Sequence, residues 1–204
     1  MGAPAGNVGP EPSDAALIAR SSAEADAFST IFDRHFAAVH RYLARRVGRS
    51  RADDLASQTF VVAFERRADF EPAAASACPW LLGIATNLMR NELRAEQRLL
   101  RAIAQLDPAA AGDLTDEAER SLARADAASE VARMAGALAA LDSAQRDVLL
   151  LYAWGELSYE QIAHALAIPT GTVRSRLSRA RSTLQRAIAD RRATEPCSPK
   201  EESR

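Results

Sequence analysis

The chain has 204 residues, 48% of them hydrophobic and only 5% aromatic, with a formal net charge of −1. That is apolar material enough for one large packed domain or two small ones, and an abundance of Ala, the residue that costs least to place in a helix, favours helices over sheets. No apolar run approaches the roughly 18–20 residues of a membrane span, the opening MGAPAGNVGPEPSD has neither the basic start nor the apolar stretch of a secretory signal, and the distant Cys78 and Cys197, without metal-ligating neighbours, argue against a disulfide scaffold or zinc site; a soluble, cytoplasmic protein is expected.

Residues 1–20, rich in Gly, Pro and small side chains, read as a flexible N-terminal arm. Phe28, Ile31, Phe32, Val39, Leu43 and Val47 then approximate a 3.6-residue period, predicting a helix stopped by Gly48. Ser50 is a candidate cap for a second helix carrying Leu55, Phe60, Ala63 and Phe64, with Asp53 and Asp54 near its positive end. Asp69 to Cys78 is a loop containing Pro72, and Pro79 suits the first turn of a third long helix. Leu81, Ile84, Ala85 and Leu88 form its core face, while Asn87, Asn91, Arg94 and Arg98 share the other.

Residues 99–131 lose this periodicity in acids, alanines, Pro108 and Gly112, and read as an acidic linker. A second unit follows over 132–190, before a flexible tail over 191–204. Asp142 with Gln145 predicts a capping box for a helix through Trp154, and Ser158 with Gln161 another for a short helix through Leu166. A turn at 167–170 leads to a last helix whose buried stripe is Val173, Leu177, Ala180 and Leu184. No segment sustains period-two alternation, so the predicted fold is all-α, two small helical domains joined by a linker: 21–98 and 132–190.

The near-neutral total hides an asymmetry. From Arg174 to Arg192 there are seven Arg against Asp190 alone, whereas from Asp107 to Glu130 seven acids face only Arg120 and Arg124. A basic end beside an acidic middle implies an anion-binding module next to a segment that avoids anions. Short helix, tight turn and longer Arg-bearing helix is the helix-turn-helix order. Ile162, Ala163 and Leu166 are expected to pack on Val173 and Leu177, leaving Arg174, Ser175, Ser178 and Arg179 outward near the helix start, where such a helix meets base edges in the major groove. An amphipathic helix with solvated arginines is the competing explanation.

The residues themselves separate these readings. LSYEQIAHALAIPTGTVRSRLSRAR, Leu157 to Arg181, resembles region 4 of the sigma-70 family of RNA polymerase sigma factors, most closely the minimal extracytoplasmic-function (ECF) group. Upstream, Phe28 to Val47 resembles region 2.1, ADDLASQTFVVAFE (Ala52 to Glu65) region 2.2, and PWLLGIATNLMRNELR (Pro79 to Arg94) regions 2.3 and 2.4. Two matches in the right order cover most of the expected folded chain.

The resemblance implies an all-helical, non-catalytic initiation subunit, without cofactor or membrane insertion, whose partners are core RNA polymerase and promoter DNA, and it leaves an anti-sigma factor open as a third. It implies core-polymerase contacts at Asp53, Asp54, Gln58 and Thr59, with Gln58 standing where the family usually has Glu. It implies −10 contacts at Asn87, Arg90, Asn91 and Arg94, with the loop 69–78 receiving a flipped base. It implies −35 contacts at Arg174, Ser175, Arg176, Ser178, Arg179 and Arg181, of which Arg176 and Arg181 suit phosphate. Ala167 replaces a glycine frequent at the turn, and Asp142 a frequent proline.

Plainer explanations stand beside these. Asp53 and Asp54 also suit simple capping, and Trp80, able to stack on a base, is better placed for the core beside Pro79. His35, His40 and His164 fit surface or packing roles better than catalysis. A one-component or response-regulator transcription factor would need a ligand pocket or receiver upstream, and an enzyme would need a phosphate loop, metal spacing or nucleophile motif; the sequence displays none of these.

Overall fold

A computed structural model of the chain describes residues 11–106 and 136–192. The expected linker from 107 onward, the first ten residues and the tail from 193 lie outside the described residues.

The first helix, α1 (Asp14–Arg20), opens at Ser13, whose hydroxyl accepts from the Ala16 N–H at 3.2 Å. A flexible arm to residue 20 is therefore corrected at its end. Seven residues cannot hold a helix alone in water; this one persists because Leu17 and Ile18 are buried in the core. A 3-10 turn at Ala25–Phe28 leads into α2 (Ser29–Val47), which buries Ile31, Val39, Tyr42 and Leu43. Gly48, at φ +82°, turns the chain directly into α3 (Arg49–Glu65).

The expected cap at Ser50 is not used. Helix α3 starts two residues earlier, at Arg49 after Gly48, without any side-chain cap, so Asp53 and Asp54 fall beyond the first turn, where the helix dipole matters less. A short turn at Arg67–Asp69 and the loop 70–77 precede α4 (Cys78–Leu106), which runs eight residues past the expected boundary at 98.

In the second unit, Asp142 caps α5 (Ser143–Ala153) by accepting from the Gln145 N–H at 2.7 Å. Ser158 and Gln161 form both halves of a capping box at α6 (Tyr159–Leu166). Ala167 ends α6 in the left-handed region, φ 51° and ψ 48°, before α7 (Thr170–Arg192). No strand occurs among the described residues, and the fold is two all-helical units, as the sequence predicts.

A linker-joined pair of domains carries no expectation of contact between them, yet here they pack together. Helix α6 lies on α4, and the approach is so close at Gly83 that a Cβ there would sit 2.3 Å from the Ala165 carbonyl oxygen. Buried residues of both units, from Leu17 to Leu177, form one continuous apolar cluster.

Ala167 carries the strain of a left-handed conformation that glycine adopts freely. Ala167→Gly relieves that strain at a smaller cost in unfolded-state freedom. The expected result is a gain of about 0.5–1 kcal/mol in unfolding free energy, measured by urea titration of the full chain.

Candidate promoter and polymerase interfaces

Helix α7 is held by its apolar stripe. Val173, Leu177 and Ala180 are buried together with Ile162 of α6, and Arg174, Ser175, Ser178 and Arg179 are exposed on the side away from it. The Ser175 hydroxyl donates to the Thr172 carbonyl at 3.0 Å, leaving its oxygen to act as an acceptor. Arg176 is half-buried. Arg181 is exposed, and its guanidinium lies 5.2 Å from the Tyr152 ring centroid, a contact that fixes the cation near the side of the helix.

Along α4, Asn87, Asn91, Arg94 and Arg98 are all exposed on one broad face, and Leu81, Ile84 and Ala85 are buried on the other. Arg90 differs from its expected role as an open surface group: its Nε–H donates to Asp147 of the second unit.

The loop before α4 is anchored at both ends. Phe70 is buried and meets Trp80 edge-on at 5.3 Å. Trp80 itself is half-buried and helps line a cavity of about 280 Å³ bounded by Ser76 of the loop and by Gln161 and His164 of α6. At the other end Asp14 of α1 reaches across. Its Oδ2 accepts from the Ala77 N–H at 2.8 Å and lies 2.7 Å from His35 Nε2, while Oδ1 accepts from Arg34 at 3.1 Å. Burial by itself raises the Asp14 pKa, but the Ala77 N–H, His35 and Arg34 outweigh it and hold the carboxyl below its usual range. A residue of the expected arm thus fixes the start of α4.

On α3, Asp53, Asp54 and Gln58 are exposed, and Leu55 and Phe60 are buried as the pattern predicts. Thr59 is a correction. It is fully buried, with its hydroxyl donating to the Leu55 carbonyl at 2.6 Å, so it is not on the surface offered to a partner. Asp53 Oδ1 sits 2.8 Å from His40 Nε2. Beside this polar row Phe32 and Val61 are exposed, and the Phe32 ring packs against Phe36 and Phe60.

Sequence reasoning missed Asp14, His35, Arg46 and Asp147. Asp147 did leave a signal: it is an acid set among Val148, Leu150 and Leu151, the buried side of α5, where a lone charge requires a partner.

Comparison with known proteins covers both units. The family profile "Sigma-70 region 2" matches residues 31–99, and "Sigma-70, region 4" matches residues 132–184. RNA polymerase sigma factor NccH of Alcaligenes xylosoxydans xylosoxydans is 31% identical over 180 residues, 85% of this chain and 94% of that protein. ECF RNA polymerase sigma factor BldN of Streptomyces coelicolor is 28% identical over 179 residues, 85% of this chain and 65% of BldN. The structure of CnrH in complex with the cytosolic domain of CnrY superposes with a TM-score of 0.60 at 27% identity, covering 88% of this chain and 99% of CnrH.

Because the Asp14 pKa is depressed in the folded state, its contribution to stability is complete above the ordinary aspartate range and disappears as pH falls through the lowered value. Asp14→Asn is therefore expected to lose about 1.5–3 kcal/mol at neutral pH. The gap between parent and variant should narrow on acidification to pH about 3, as read by chemical denaturation at both pH values.

Proposed function

The chain belongs to the sigma-70 family of RNA polymerase sigma factors, in its ECF group, and from that premise we propose how its surfaces divide the work of promoter-specific initiation. A sigma factor acts with core RNA polymerase on promoter DNA, so three surfaces are required: one for polymerase and one for each promoter element.

The −35 reader is α7. The observation that carries this reading is the exposed row Arg174, Ser175, Ser178 and Arg179, starting one residue past the buried Val173 on a helix braced by Ile162. Those residues stand near the helix start, the part that enters a major groove, and an Arg there can take guanine O6 and N7 together. Arg176, and Arg181 held beside Tyr152, suit phosphate.

The −10 reader is the exposed face of α4, with Asn87, Asn91, Arg94 and the neighbouring Arg90, whose Nε–H also serves Asp147. The loop 70–77 is the pocket wall for an unstacked base. Asp53, Asp54 and Gln58, with the apolar Phe32 and Val61 beside them, form the polymerase-docking face. The chain catalyses nothing itself and works in the cytoplasm. No described helix is long and apolar enough to cross a membrane. CnrH is solved with the cytosolic domain of a second protein, CnrY, and we assign a regulator of that kind, an anti-sigma factor, as a third partner.

Two measurements test these assignments. Replacing Asp53 and Asp54 together with Ala should weaken competition for core polymerase with helicity unchanged; normal competition removes the docking face from α3. On single-base promoter variants at two salt concentrations, Arg174→Ala should cost about 1–3 kcal/mol and relax preference at one position. Arg181→Ala should instead weaken all sequences alike and lower the salt slope by about one. Uniform losses from both variants, with base preference intact, would show that the recognition row is misplaced.

A further inference from the structure

The loop that precedes α4 is short, and its two ends are fixed in different ways. Phe70 at its start is buried against Trp80, an apolar contact that tolerates small shifts. Ala77 at its end is fully buried and hydrogen-bonded through both its backbone groups. Its carbonyl accepts from the Leu81 N–H at 2.9 Å, the first bond of α4, and its N–H donates to Asp14 Oδ2 at 2.8 Å. Asp14 has little freedom of its own. It is buried, its helix is anchored by Leu17 and Ile18, and its two oxygens are divided among three partners. Oδ2 also meets His35 Nε2 at 2.7 Å, and Oδ1 accepts from Arg34, whose guanidinium also donates to the Pro12 carbonyl at 2.8 Å. Between the two anchors only 71–76 remain, with Glu71, Pro72, Ala73 and Ala75 exposed. A bond from the Ala74 N–H to the Glu71 carbonyl at 3.0 Å folds this stretch into a turn.

We propose that Asp14 is a positioning residue for promoter reading: through the Ala77 N–H it sets where the turn 71–76 stands, and so which base the −10 pocket accepts. The inference deepens the pocket role proposed above for this loop and rests on it. Selecting one unstacked base requires a wall placed to within about 0.5 Å, which a sliding apolar anchor does not give. An ionised carboxylate accepting from a backbone N–H is shorter, stronger and more directional. Asp14 precedes residues 31–99, the span of the region 2 match, so this determinant belongs to α1 and acts on the reading loop from outside that span. An amide at position 14 has one acceptor oxygen where the carboxylate has two, so it cannot serve Ala77 and Arg34 together.

The test uses holoenzyme assembled from core polymerase and the full chain. A promoter that the parent holoenzyme transcribes is varied one −10 position at a time, and rates of open-complex formation are compared across the four bases. A chain whose residues 71–76 are replaced by Gly and Ser identifies the position the loop reads, as the one whose preference it flattens. Asp14→Asn should lower the preference at that same position about tenfold, the order that one well-read base contributes, and leave the other −10 positions as in the parent. His35→Leu, which removes a second partner from the same oxygen, should shift the ratio in the same direction. His35→Gln, which retains an N–H for that oxygen, should keep the parental preference. An unfolded fraction slows every template alike and cancels from these ratios, so lost stability by itself does not produce this pattern. Full preference in Asp14→Asn at the position that loop replacement flattens overturns the role of Asp14 and leaves the base pocket standing. A loss spread evenly over all −10 positions overturns it equally. A loop replacement that flattens no position removes the base pocket itself, and the positioning role with it.

Discussion

A carboxylate shut away from water must be answered by positive charge, and in this chain the answer comes from the other unit. Asp147 with Arg46 and Arg90 therefore determines how the two helical units meet. Removing charges from water is costly, and such a cluster adds less net stability than apolar packing of equal volume; breaking it by deleting one member is what hurts. Its contribution is to orientation. Apolar contact between α4 and α6 tolerates sliding, whereas a carboxylate that must reach two guanidiniums does not. Tyr42 and Thr86 extend the same demand inward, each hydroxyl directed to the next acceptor, so the register of the second unit is tied to the interior of the first.

Around that junction the short elements depend on their ends. Helix α6 has eight residues, bounded by a full capping box at Ser158 and Gln161 and by the left-handed Ala167. Helix α1 is shorter still and depends on Leu17 and Ile18 for its place and on Asp14 for its use. The Asp14 carboxylate supplies an acceptor to the backbone just ahead of α4, a service usually given by a neighbouring residue and here given from 63 positions away. The loop that faces α6 is consequently fixed by an element the composition would class as unstructured.

Legibility in the sequence followed the range of the interaction. Helices α2 to α7 announced themselves through periodicity, and Asp142, Ser158 and Gln161 through cap spacing, because those are contacts between near neighbours along the chain. The outward row of α7 was legible for the same reason: Val173, Leu177 and Ala180 fix the inner face, and the remainder must be outer. Thr59 went wrong because a resemblance carries residue types without their burial, and its hydroxyl serves the helix backbone. Ser50 went wrong because Gly48 already ends one helix and begins the next. Asp14 was out of reach because its partners are distant in sequence; Asp147, among apolar neighbours, showed that it needed a partner but gave no indication of which cation it would meet.

Helix α4 is one unbroken rod of 29 residues, about 43 Å long at helical rise. Its inner side is packed against α2 and α3, with burial reaching Met89, and Arg51 of α3 holds Glu96 through two hydrogen bonds at 3.0 and 2.9 Å. Mechanically that is a clamped beam and not a hinge. Asn87, Asn91 and Arg94 all lie on the clamped stretch, so the polar face of α4 is as rigid as the core beneath it, and a disturbance at its base must repack that core before the face can move.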